Sequence, residues 1–282
     1  MNLNRYLFIP LSLSMWVLQP PLLSEAVSAH TGQSTFESVE VSQASGSWTF
    51  QILSNLSVQE SALRMITAHI SATGKDWSAL RMQGDILLPG AQNTVPAALL
   101  LQGFNQGRLD VQRSSGLSAV IIEGAVRKSL DVNGRSTVDS YGAGVAALVP
   151  FHLLRSVSAM DRLVAAKVDR QQFVDGVLCD KLSVRLAPGV AKPHDGAPPQ
   201  SVQIDFYFDP STHLIRQTVV PIDVPGVPRA VLQVTSYSDY REVQGVMIPW
   251  HMSQTINGSF VWEIVATSVE APDQIPASEF YK

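Results

Sequence analysis

Tyr237-Ser238-Asp239-Tyr240-Arg241-Glu242-Val243-Gln244-Gly245-Val246-Met247-Ile248-Pro249-Trp250 is the stretch on which the reading of the fold turns. Strand-like segments rich in aliphatic and aromatic residues run into it and out of it, over Arg229–Tyr240 and Met247–Ile256. Asn257-Gly258 then supplies a primed hairpin turn, and Ser259–Val269 forms the next strand. Upstream, Asp209-Pro210-Ser211-Thr212 reads as a turn between strands Ser201–Phe208 and His213–Pro221, with the proline fixing φ at its second position. The block from Ser201 to Val269 is therefore an antiparallel meander.

The first half of the chain reads differently. Ser57-Val58-Gln59-Glu60 has the form of a capping box. Behind it Ala62, Met65, Ile66, His69 and Ile70 share one helical face, and Gly74 closes the helix as a left-handed cap. From Trp77 the period changes to two. Strands are expected over Trp77–Leu88, Thr94–Gln106, Arg108–Arg113, Leu117–Glu123 and Ala125–Val132, with a turn at Asn133-Gly134 and a loop over Gly134–Ser140. A second helix is expected over Gly142–Ser158, broken at Pro150 and continued by Asp161–Val168. Gln172–Leu186 follows as a strand, then loops at Ala187–Pro199 and Asp223–Pro228. Strands run together without βαβ alternation, so the sheet is antiparallel and the class mainly β (α+β).

Composition narrows the function. The chain has 282 residues, 45% hydrophobic and 16% charged, with a net charge of −4. Its basic residues do not cluster, which excludes a phosphate-tracking surface and hence nucleic acid. Residues 1–29 read as a signal peptide: a short basic start, an apolar run over Tyr6–Leu23, then small residues that permit cleavage after Ala26 or Ala29. Residues 30–50 read as a linker or disordered arm, and 51–282 as one domain. No later segment has the roughly 20 apolar residues of a spanning helix. The expected location is the periplasm or the outside of the cell, soluble after cleavage. The single cysteine, Cys179, cannot form an intramolecular disulfide and reads as a small buried hydrophobe.

No catalytic or metal motif stands out. The six histidines show no metal-ligand spacing, and GxSxG, HExxH and P-loop patterns are missing from the sequence. Gly142-Ala143-Gly144 lacks the Lys-Ser/Thr ending of a phosphate loop and reads as a flexible lead-in. Asp205 reads as a solvated strand residue, and Asp175 and Asp180 as lying on opposite faces of one strand. A hydrolase assembled from Ser211, His213 and Asp239 is the weakest alternative. The apolar loading of the strands is the unusual feature. Met65 and Ile66 on the helix, with Leu101, Leu109, Val111, Ile204, Phe206, Leu232, Val234, Phe260, Trp262 and Ile264 on strands, are the candidate lining of an apolar cavity. No cofactor is expected.

The order of these motifs resembles the outer-membrane lipoprotein-carrier superfamily (LolA/LolB-like proteins). The resemblance rests on Tyr237, Tyr240, Arg241, Val243, Gly245, Val246, Pro249, Asn257 and Gly258, on the Asp209–Thr212 hairpin, and on Gly107-Arg108-Leu109-Asp110. It covers roughly Gln51–Phe280. It implies a strongly curved sheet forming an incomplete β-barrel, with two or so helices on its concave side. It also implies a non-enzymatic carrier or chaperone for a hydrophobic small molecule, lipid or acylated protein, with transient contact to a membrane surface or envelope protein. The arginine that latches the lid in such carriers has two candidates here, Arg81 and Arg108. The alternative is an envelope sensor or scaffold module that binds another protein, its cavity collapsed into core.

Overall fold

The computed structural model describes residues 57–75, 77, 79–103, 106–124, 126–139, 148–155, 160–187, 201–222 and 229–281. The expected signal peptide and arm, the Gly142-Ala143-Gly144 lead-in and most of the two long loops lie outside them. The strands are β1 (Ser57–Val58), β2 (Ala79–Leu87), β3 (Val95–Gln102), β4 (Gln106–Arg113), β5 (Gly116–Glu123), β6 (Val126–Leu130) and β7 (Ser136–Asp139), followed by β8 (Leu163–Val174), β9 (Val177–Leu186), β10 (Val202–Phe208), β11 (Ile215–Ile222), β12 (Val231–Val243), β13 (Val246–Ile256) and β14 (Ser259–Glu270). Helix α1 spans Glu60–Thr73, a 3-10 segment spans Pro150–Arg155, and a short α2 spans Ala277–Phe280.

All fourteen strands form one sheet in the order β1-β8-β9-β10-β11-β12-β13-β14-β2-β3-β4-β5-β6-β7. Two antiparallel meanders, β2–β7 and β8–β14, join where β14 pairs with β2. The ends of the order, β1 and β7, do not pair with each other, so the barrel stays open. The two-residue turns are built from residues that tolerate positive φ: Asp175-Gly176 (46° and 80°), Gln244-Gly245 (53° and 81°) and Asn257-Gly258 (49° and 79°).

One face of the sheet carries the main core. Along β2 the buried residues Leu80, Met82 and Ile86 alternate with more exposed neighbours. They meet Leu99, Leu101, Leu109, Val111, Val120 and Ile122 from β3–β5 and Leu182, Val184, Ile204, Phe206 and Ile264 from the other half. Helix α1 lies over this concave face on Ala62, Ile66, His69 and Thr73. The 3-10 segment packs beside it through Phe151, Leu153 and Leu154. A second, separate cluster (Ala79, Leu100, Ile275 and Phe280) lies on the convex face, where the C-terminal segment crosses β2–β4.

Five local expectations are corrected. Ser57 does not cap α1. Ser57 and Val58 bridge in parallel to Ala165 and Ala166 of β8, and the helix starts at Glu60 behind Gln59, with no side-chain cap. Gln59 is engaged elsewhere: its N–H donates to Ala166 O (3.0 Å) and its Oε1 accepts from Val168 N (3.1 Å). Gly74 has φ 83° and ψ −138°, outside the left-handed helical region. Asp161–Val168 does not continue a helix. It enters β8, which turns at Asp175-Gly176 into β9, so the single strand expected over Gln172–Leu186 is the end of one strand and the whole of the next. The loop expected over Gly134–Ser140 contains β7, paired to β6.

Candidate functional site

The concave face under α1 and the 3-10 segment brings together the most apolar side chains of both meanders. Ile66, Leu101, Leu109, Val111, Ile204, Phe206, Trp262 and Ile264 are all buried within one cluster, and Met65 packs against it half-buried. Strand register builds the floor. One row reads Leu182, Phe206, Thr218, Thr235, Gln254, Trp262 across β9–β14. Another reads Tyr237, Met252, Ile264, Ile86, Val95 across β12, β13, β14, β2 and β3.

Three candidate lining residues point the other way. Leu232 (45% exposed) and Val234 sit between the inward-facing Val231, Gln233 and Thr235 of β12, so their parity turns them to the convex face. Phe260 (40% exposed) has the parity of buried Trp262, yet a bulge intervenes: Gln254 pairs with Trp262 while Thr255 pairs with Phe260, leaving Val261 extra. The additional residue turns Phe260 outward beside Thr255 and Val234.

The floor carries a polar stripe that apolar counting missed. Thr218, Thr235 and Gln254 are almost fully buried in adjacent register positions between Phe206 and Trp262. Each has a partner. Thr218 Oγ1 shares a hydrogen bond with Tyr237 Oη (2.8 Å), and Gln254 Nε2 donates to Leu148 O (2.8 Å) and Thr235 Oγ1 (3.3 Å). The stripe thus ties the floor to the chain entering the 3-10 segment. Its signal was available in the sequence: each residue occupies the inward parity of a strand whose other inward residues are mostly apolar.

The cover is held by aromatic contacts and one arginine. Phe151 meets Tyr237 at 5.5 Å and Trp77 at 5.9 Å between ring centroids. His69 of α1 lies 5.2 Å from the Phe208 ring, and its Nδ1–H donates to His213 O (2.9 Å). His152 Nε2–H donates to Gly103 O (2.9 Å). Burial lowers both imidazoles from 6.5 to about 4, so each is neutral at pH 7. Arg155 gathers the end of α1: Nη1 donates to Ile70 O (2.9 Å) and to the Thr73 hydroxyl, and Nη2 to Gly74 O (2.8 Å) and Lys75 O (2.6 Å). A cation there satisfies carbonyls that the helix leaves open and complements its dipole.

Neither proposed latch arginine faces the cover. Arg81 and Arg108 lie on the convex face, where Arg81 pairs with Glu279 (2.9 Å) and Arg108 donates to Phe280 O (3.2 Å). The arginine that contacts the end of α1 is Arg155, from the segment after Pro150.

The remaining sequence candidates are dispersed. Ser211 and Asp209 form one turn, His213 offers its carbonyl to His69, and Asp239 pairs with Arg241 (2.6 Å). A different serine–histidine–carboxylate line lies on the convex face: Ser238 Oγ meets His251 Nδ1 (2.9 Å), whose Nε2 meets Glu263. Ser238 and His251 are direct partners in the ladder, so backbone amides here run in the sheet plane instead of converging on an oxyanion. Asp205 is not solvated. It is 9% exposed, paired with Lys181 Nζ (2.9 Å) and with Ser183 Oγ (2.7 Å), its direct partner on β9. Asp175 occupies a turn. Cys179 is fully buried on the convex face with Val174 and Tyr207, and burial raises its thiol pKa. Among the described residues no three His, Cys, Asp or Glu side chains converge to hold a metal ion, and no helix is long and apolar enough to cross a membrane.

No family model matches the chain, and no curated protein matches it. Solved structures similar to it include a putative outer membrane lipoprotein-sorting protein domain from Vibrio parahaemolyticus, 11% identical, with 78% of this chain and 96% of that one covered at a TM-score of 0.49. Another is a DUF1329 family protein from Desulfovibrio piger, 11% identical, with 79% and 98% covered at 0.48. A third is a LolA superfamily protein from Nitrosomonas europaea, 12% identical, with 78% and 97% covered at 0.47.

Proposed function

We propose that the chain is an exported, non-enzymatic binding protein that holds a lipid or a lipoprotein acyl chain against its concave face, as a carrier or chaperone. One observation carries this reading. Among the described residues, the apolar floor of an open fourteen-stranded sheet is covered by one helix and a 3-10 segment, joined to the sheet side at separate points such as His69 to His213 O, His152 to Gly103 O and Gln254 to Leu148 O. A cover pinned at such points separates from the floor at lower cost than a layer continuous with the sheet. An acyl chain entering beneath it gains about 0.8 kcal/mol per buried methylene, with no polar recognition needed.

The second reading is a scaffold that binds another envelope protein. It is favoured by Phe151, Leu153 and Leu154, which already occupy the concavity as core, and by Leu232 and Phe260, exposed on the convex face. Native mass spectrometry of the protein purified from its host, followed by titration of the delipidated protein with a fluorescent fatty acid and a lipopeptide, separates the two. A co-purifying lipid and saturable binding support the carrier. Flat titrations with both ligands sink it and leave the scaffold.

A further inference from the structure

The C-terminal segment is bound to the sheet as a peptide is bound by a receptor. Ile275 and Phe280 are fully buried against Ala79 and Leu100, in a cluster separate from the main core. Leu100 on β3 stands in register between Arg81 on β2 and Arg108 on β4. Arg81 Nη2 donates to both oxygens of Glu279 (3.0 and 2.9 Å). Arg108, itself 3% exposed, is oriented by Asp110, which accepts from its Nε at 2.8 and 2.9 Å, and it donates from Nη1 to Phe280 O (3.2 Å). Gln102 Oε1 accepts from Ile275 N (2.6 Å).

The groove therefore reads an aliphatic side chain and its N–H, a carboxylate four residues on, and an aromatic side chain with its carbonyl five residues on. The segment adds no strand to the sheet, and the β2–β3 and β3–β4 ladders are complete without it. Its connection to β14 is only Ala271–Gln274, and Pro272 restricts its backbone.

We propose that the convex face of β2–β4 is a peptide-recognition groove occupied in cis by Ile275–Phe280. Its partner in trans is a protein segment with the same chemistry: an aliphatic residue, an acidic residue four positions later and an aromatic residue next to it. The short tether gives the cis segment an effective concentration in the millimolar range. A partner therefore binds only in competition with the tail, and freeing the tail exposes the site. This surface lies on the opposite side of the sheet from the concave face, so it stands or falls separately from ligand binding there.

The test uses the full-length chain carrying Ile275→Ser, Glu279→Gln and Phe280→Ala, which keeps the tail and removes what the groove reads. It is titrated with a fluorescein-labelled synthetic peptide of residues 272–282, beside the wild-type chain. Saturable binding to the variant, about a hundredfold weaker to wild type, is expected from the tether. A peptide with Phe280→Ala should lose at least about tenfold, as the loss of a buried aromatic anchor does. If the triple variant departs from the wild-type circular dichroism spectrum, the single Phe280→Ala chain replaces it in the same titration. A native-like variant that does not bind overturns the proposal. So does equal binding to wild type, or a Phe280→Ala peptide that binds as well as the native one.

Discussion

Gly74 lies against Gly245 so closely that a Cβ on Gly74 would stand 2.2 Å from the Gly245 carbonyl oxygen. The same carbonyl accepts a hydrogen bond from Lys75 N (2.8 Å), and Gly74 bridges to Val246. The end of α1 is thereby fixed to the start of β13. The stretch that identifies the meander in the sequence is also the place where the cover is fastened.

Substitution at the two glycines should therefore differ. Gly74→Ala meets backbone at 2.2 Å and a φ of 83°. Gly245→Ala meets only Lys75 Cβ, at 3.6 Å, and pays for a φ of 81° alone. The second should cost about 1 kcal/mol, and the first clearly more, because contact is added to strain. Urea unfolding of the two single variants measures the difference, and equal costs would refute the close approach as the cause.

Arg155→Ala should release α1 before it unfolds the sheet. It leaves the carbonyls of Ile70, Gly74 and Lys75 without their guanidinium partner, at about 1–3 kcal/mol for such charge-assisted bonds. Hydrogen exchange should rise in residues 60–75 while β2–β5 stay protected. Arg155→Lys should rescue only part of the loss, since an ammonium lacks the planar fork that spans four acceptors. Uniform deprotection of helix and sheet would contradict a locally held cover.

Acid should loosen the same region. His69 and His152 have folded pKa values of about 4 against an ordinary 6.5. A lowered histidine pKa means that the unfolded chain binds more protons, so the associated stability is present above pH 6.5 and drains away as pH falls towards 4. Each histidine contributes a slope of up to about 1.4 kcal/mol per pH unit in that window. Thermal unfolding between pH 7 and 4 should show it. The slope should be shallower in His69→Gln, whose amide can still donate towards His213 O. A midpoint that does not move over this range would show that the two rings are accessible to protons in the native state.

The sequence was most informative where local chemistry dictates structure. Asn257-Gly258, the Asp209–Thr212 turn and the alternation in β2–β5 and β10–β14 are all realised, because turn residues and a half-buried strand leave few alternatives. It was least informative where tertiary pairing overrides a local preference. Ser57 has the sequence of a helix cap, but its backbone is taken by β8. Asp175-Gly176 carried a hairpin signal as plain as Asn257-Gly258, and a continuous apolar reading passed over it. Arg155 was not identifiable as the partner of the end of α1, because its four acceptors come from residues 70–75, and nothing local to residue 155 announces them.

The bulge at Val261 gives the sharpest test of which side of the sheet a residue serves. Trp262 is 2% exposed and inward, while Phe260, two residues away, is outward. A regular strand would place both on one face and give them similar sensitivity. With the extra residue, Trp262→Ala should cost about 3–5 kcal/mol through the cavity it leaves. Phe260→Ala should cost under about 1 kcal/mol, as a half-exposed position allows. Deleting Val261 should cost less than Trp262→Ala. It removes the extra residue and makes Phe260 and Trp262 neighbours on opposite faces of a regular strand, Phe260 still opposite Thr255 and Trp262 still opposite Gln254. Denaturant midpoints of the three variants decide the matter, and comparable losses at Phe260 and Trp262 would mean that Phe260 faces the core.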